Sequence, residues 1–181
     1  MTAKLTELQK IQIKLMRHYG PKCSDAGAKG LIPHKYMSFD PGEGTGWALW
    51  SETGYLTDFG NVYNDVNGVA DLFENLIRRG IGPDVIIYEK WKLLKTKEFY
   101  GSTMLSCQVV GLIRGYGHTL KAELVSNETN IKSTAQKWTG LKPVGAHSTQ
   151  HFVDAIYHGW HYLQVNKKIT PRILWDEPGG M

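Results

Sequence analysis

An acidic residue closing an apolar strand, with a glycine-rich turn directly behind it, is the first chemically suggestive feature of this chain: Phe39-Asp40-Pro41-Gly42-Glu43-Gly44-Thr45-Gly46-Trp47-Ala48. Aspartate is disfavoured inside strands, so this placement calls for a turn role or a ligand. An Asp-Pro-Gly turn, its carboxylate bonded to nearby amides, is the plain alternative. Glu89 directly follows the apolar run Val85-Ile86-Ile87-Tyr88, at the carboxyl end of a strand, where ligands bind in open α/β sheets. A surface-turn glutamate looks the same in isolation. Near the C-terminus His151, Asp154 and His158 recur at helical spacing and share one stripe. Phe152, Ile156, Trp160 and Leu163 fall nearly opposite, as the packing face. An exposed polar face would account for the stripe equally, and His158 and His161 are expected to be surface or supporting groups.

Asp40, Glu89 and Asp154 offer hard oxygen ligands and His151 an imidazole, a set suited to magnesium or manganese rather than tetrahedral zinc. Two such ions can activate water and stabilise the leaving oxygen during in-line attack at phosphorus. Cys23 and Cys107 lie far apart without a C-x-x-C spacing, so neither a disulfide framework nor a thiolate metal site is expected.

The elements that must position these groups follow from periodicity. Tyr36–Phe39, Gly46–Trp50 and Tyr55–Gly60 read as three neighbouring antiparallel strands. Val66–Arg79 has helical spacing, ended by Gly80 and Pro83, and Asp84–Tyr88 is typical of a buried parallel strand. Phe99–His118 reads as a long helix with a small-residue row at Cys107, Gly111 and Gly115, allowing close approach to a sheet or to a partner helix. Ala122–Val125 is the next strand, Ser126–Thr129 opens a short helix to Trp138, and Ser148 caps a last helix running to about Val165. The order βββαβαβαα predicts an α/β fold with a mixed central sheet flanked by helices.

Upstream, Thr2–Tyr19 reads as an amphipathic helix and Gly20–Pro33 as a linker, giving a basic extension over 1–34 and a main domain over 35–181. Residues 1–35 hold seven of the 21 basic residues and two of the 17 acidic ones, leaving 14 and 15 in the rest. A basic arm on a neutral body suits attraction to a polyanion, although a solvated helix face gives the same count. No stretch approaches the roughly 20 apolar residues of a membrane span, and no secretory signal is visible. A soluble cytoplasmic protein is expected.

The segments F-D-P-G-x-x-x-G-W-A, I-I-Y-E and H-F-V-D-A, in this order over residues 35–163, resemble the three motifs of the RuvC-type Holliday-junction resolvases of the RNase H-like superfamily. The family's first aspartate falls on Asp40, its glutamate on Glu89, its final acidic residue on Asp154, and the position before that on His151. The resemblance implies an RNase H-like fold and a homodimer in which the long helix helps form the interface. The activity it implies is that of a crossover junction endodeoxyribonuclease, nicking four-way DNA with two Mg2+ or Mn2+ ions per site and leaving 5′-phosphate and 3′-hydroxyl ends. Lys90, Lys92, Lys95 and Lys97, interleaved with Trp91, would contact DNA beside the metals, as phosphate grips and a base-stacking aromatic; a solvated loop is the alternative. The family's own aromatic lies three positions after its glutamate, whereas Trp91 lies two after Glu89. Lys132 resembles a family lysine near the scissile phosphate. The N-terminal extension departs from the bacterial pattern and suits a phage-type member acting in a bacterial host. Competing readings are a related nuclease for flaps, forks or RNA–DNA hybrids, a non-catalytic DNA-binding module, and an actin-like phosphate-binding ATPase. The last needs a duplicated domain and a second phosphate loop, which the sequence lacks.

Overall fold

The computed structural model describes residues 34–42, 44–63, 65–90, 102–141 and 151–173. The expected N-terminal helix and linker, Cys23, Ser148, and Trp91, Lys92, Lys95 and Lys97 lie outside them. Six strands, β1 (His34–Asp40), β2 (Thr45–Ser51), β3 (Tyr55–Val62), β4 (Val85–Glu89), β5 (Glu123–Asn127) and β6 (Arg172–Ile173), form one sheet in the order β5-β4-β1-β2-β3-β6. Among the described residues four α-helices cover it: α1 (Asp65–Arg78), α2 (Ser102–Leu120), α3 (Ile131–Thr139) and α4 (His151–Tyr162). β1 pairs antiparallel with β2 and parallel with β4, β5 is parallel to β4, and β6 is parallel to β3. The sheet is therefore mixed, as the sequence predicts.

Strand alternation sorts the core into two halves. Tyr36, Trp50, Val85 and Ile87 pack with α3 and α4, while Met37, Phe39, Leu49 and Ile86 pack with α1 and α2. On α1, Val69, Phe73 and Leu76 recur at helical spacing and are buried, with Phe73 stacked on Tyr116 of α2 at 4.6 Å. Gly80, at φ +70°, ends that helix, and the Ile81 N–H closes on the Leu76 carbonyl at 2.9 Å.

Helix α4 lies tight on the sheet because Gly159 has no side chain. A Cβ there would land on Trp50 Nε1 and come within 2.7 Å of Ser38 Oγ, the two buried atoms that share a 3.1 Å hydrogen bond. Gly159→Ala is therefore expected to lower stability by about 1–3 kcal/mol, the usual range for overpacking. A urea midpoint that falls with an unchanged m-value would register this, and an unmoved midpoint would show that the helix shifts freely.

Several expectations need correction. β5 runs through Asn127, so Ser126–Thr129 does not open a helix; α3 starts at Ile131 because Ser126 and Asn127 are held by pairing with Tyr88 and Glu89. A sixth strand, β6, is not among those expected; its two residues are too short for a periodic pattern. α4 ends at Tyr162 and widens into a π-helical turn over Leu163–Lys167. Of the two alternatives for the small-residue row of α2, sheet or partner helix, the sheet is excluded: Cys107, Gly111 and Gly115 are exposed, and among the described residues no atom outside the helix's own backbone lies within 4 Å of where a Cβ would stand on either glycine. Gly117, packed against Leu124 and Ile86, makes the close approach instead. Among the described residues no helix is long and apolar enough to cross a membrane.

Candidate metal centre

Alternation along β1 and β4 turns Asp40 and Glu89 to the face covered by α3 and α4. Phe39 pairs with Tyr88 across the parallel ladder, so the two carboxylates follow side by side, one residue further along each strand. His151 and Asp154, on the first turn and a half of α4, face them, and Lys132 enters from the first turn of α3. The four residues expected from the sequence therefore come together.

The Lys132 ammonium lies 2.7 Å from Asp40 Oδ1, 2.7 Å from Glu89 Oε2 and 3.0 Å from Asp154 Oδ2. His151 Nδ1 lies 2.7 Å from Asp40 Oδ2. Asp40 is the most enclosed member, only 4% exposed. Burial pushes its carboxyl above the ordinary range, against the bonds from His151 and Lys132. Burial also opposes ionisation of Glu89, but hydrogen bonds from His158, Asp40 and Lys132 hold it well below that range. The bond to Asp40 raises His151. Burial would lower Lys132, yet Asp40 and Asp154 hold it above its usual value.

The turn between β1 and β2 is shaped around His151. A Cβ on Gly42 or Gly44 would sit 3.2 or 3.1 Å from the imidazole ring, and one on Gly46 would land on the His151 carbonyl. The glycines read from the sequence as turn formers thus also seat the start of α4.

Of the two roles expected for His158, surface or supporting, the structure gives the second: it is fully buried, with Nε2 3.4 Å from Glu89 Oε2. The Asn127 side-chain amide, beside Glu89 in the ladder, donates to the His158 carbonyl at 3.1 Å. Its spacing from Asp154 places it on the right stripe; what the sequence does not show is that this stripe faces inward. Among the described residues Nδ1 of His158 is buried without a hydrogen-bond partner. An unbonded acceptor is the cheaper orphan, so the proton belongs on Nε2, directed at Glu89. His158 is on this geometry a positioning residue for Glu89. Lys90, expected to contact DNA, pairs at the surface with Glu128 at 3.2 Å, and its N–H donates to the Asn127 carbonyl.

The residues fit a divalent cation. Asp40 and Glu89 offer ligand atoms within 4.8 Å of each other, with His158 behind them, and three carboxylate oxygens from three elements already converge on one positive charge, the Lys132 ammonium. Hard oxygen donors of this kind suit Mg2+ or Mn2+.

No protein-family model matches the chain, and no curated protein matches it by sequence. Among solved structures, Thermus thermophilus RuvC in complex with a Holliday-junction substrate aligns at a TM-score of 0.52 and 14% identity, covering 76% of this chain and 98% of that one. A second Thermus thermophilus RuvC structure aligns at 0.48 and 14%, covering 75% and 98%. The yeast mitochondrial Holliday junction resolvase Ydc2 aligns at 0.39 and 14%, covering 83% and 69%. The first of these likenesses establishes the fold: a mixed sheet flanked by helices, of the RNase H-like kind.

Proposed function

We propose that this chain is a divalent-cation-dependent endonuclease that resolves four-way DNA junctions. The observation behind the reading is the convergence of Asp40, Glu89 and Asp154, from β1, β4 and α4, on a single cationic point at 2.7–3.0 Å. Asp40, Glu89 and Asp154, with His151, would hold the ions. When bound, such ions activate water and neutralise charge at an in-line phosphoryl transition state.

The chain's own residues prepare the site for that chemistry. His158 orients Glu89, and His151 orients Asp40. With Asp40 ionised, Nδ1–H of His151 donates to it, which leaves Nε2 as the ring atom that would ligate an ion. Lys132, on a flexible stem, is placed to donate to a phosphate oxygen once its carboxylates are engaged elsewhere. Products would carry 5′-phosphate and 3′-hydroxyl ends. Paired nicks need two active sites, and the outward row at Cys107, Gly111 and Gly115 of α2 offers a face on which a second copy would dock.

Four-way, three-way, flap, RNA–DNA hybrid and linear substrates, each with Mg2+, Mn2+ or chelator, test the reading. Symmetric paired nicks confined to four-way junctions, abolished by chelator, are expected. Equal cutting of flaps or hybrids would replace junction resolution with a broader nuclease, and cleavage unaffected by chelator would overturn the metal chemistry.

A further inference from the structure

Lys132 occupies an unusual position for a structural lysine. It is the second residue of α3, where the helix dipole disfavours positive charge, and that first turn holds no acidic residue to offset it. An ammonium has three N–H donors, and here three carboxylates on three separate elements accept from it: Asp40 on β1, Glu89 on β4 and Asp154 on α4. The side chain is largely enclosed, and so are all three of its partners. Without this charge, three carboxylates would be left facing one another with, among the described residues, the imidazoles of His151 and His158 beside them, an arrangement that destabilises a partly buried cluster.

We propose that Lys132 is an internal counter-ion that holds these carboxylates together before metal loading and is displaced when a divalent cation enters, so that it sets the affinity of the centre for its ion. The inference rests on the reading of Asp40, Glu89 and Asp154 as metal-binding. A divalent ion drawing on these same three oxygens would stand where Nζ now stands, and two like charges repel at that one point. Metal–oxygen bonds of about 2.0–2.1 Å for Mg2+ are also shorter than the 2.7–3.0 Å now spanned to nitrogen, so the oxygens must draw inward as the ammonium leaves. Lys132 thus links two states, one closed on its own cation and one closed on the metal, and the free energy of its three ion pairs is subtracted from metal binding.

The test uses the full chain and Lys132→Met, which keeps the stem and removes the charge. Calorimetric titration with Mn2+ and with Mg2+ is expected to show at least tenfold tighter binding by K132M. Thermal melts should show K132M less stable than wild type in chelator, with the gap closed or reversed at saturating Mn2+. A K132M chain that folds only with Mn2+ present would support the same conclusion. On wild-type protein, 15N-detected lysine ammonium spectra should show one slowly exchanging Nζ signal, assigned by its loss in K132M or in Lys132→Arg, that disappears as Mg2+ is added. Equal or weaker ion binding by K132M, or a Lys132 signal that Mg2+ leaves in place, overturns the displacement while leaving the metal centre intact. Failure of both proteins to bind either ion overturns the metal reading and this inference with it.

Discussion

Asp40→Asn should abolish DNA cleavage, by on the order of 10³-fold or more, while leaving the protein folded. A single donor aimed at a transition state is commonly worth about 10²–10³ in rate, and Asp40 has a larger task, since it stands at the centre of the cluster between His151 and Lys132. The substitution is nearly isosteric; its amide oxygen keeps one of the two donors, Lys132 or His151, while its NH2 faces the other. It removes the one thing a cation needs there, a full negative charge. Burial already works against ionisation of Asp40, so a neutral group in its place offsets part of the hydrogen bond that is lost. Two measurements separate the effects. Junction cleavage under single-turnover conditions should fall to background, and the melting temperature in chelator should stay within a few degrees of wild type. Cleavage within tenfold of wild type would remove Asp40, and with it the proposed centre, from the chemistry.

Gly46→Ala is expected to act through the fold, with the larger effect on stability. Gly46 pairs with Asp40 across the β1–β2 ladder, and an added methyl would land on the His151 carbonyl group and 2.5 Å from the Phe152 nitrogen. These are backbone atoms at the start of α4, so no rotamer change relieves the collision. The helix must lift from the sheet, carrying His151 and Asp154 away from Asp40. A loss of about 3 kcal/mol or more follows from overpacking against backbone, or roughly 6–12 °C in melting temperature for a chain of this size. Activity should fall with it, and activity measured well below the melting transition should remain low. A G46A variant with wild-type melting and cleavage would mean that α4 is not seated as described.

Much of the site was legible because strand geometry is a local property. An apolar run ending in Asp40 and another ending in Glu89 mark two carboxylates at strand ends, and alternation sets each opposite its neighbour, Phe39 or Tyr88; that they share one face follows from the parallel register of β1 and β4. The spacing of His151, Asp154 and His158 likewise specified one stripe of a helix. Which stripe faces inward was not legible. α4 is covered on several sides, by β1, β2, β4 and α3, so the usual contrast between a polar outside and an apolar inside fails, and His158 is as buried as Ile156. The outward direction of Cys107, Gly111 and Gly115 on α2 escaped for the converse reason: small residues permit close approach on any side, and only the placement of Val109, Ile113 and Gly117 against the sheet decides which side is used.

The residue sequence by itself determined most of the strands and helices, the strand-end positions of Asp40 and Glu89, and the oxygen-rich character of the candidate ligands, because each depends on chemistry within a few neighbouring positions; the register that sets both carboxylates on one face came from the tertiary structure. The tertiary structure alone decided that Lys132 closes the carboxylate cluster, that His158 stands behind Glu89, and that Gly46 and Gly159 hold α4 against the sheet. Those contacts join segments tens of residues apart, and their distances are set by how whole elements pack.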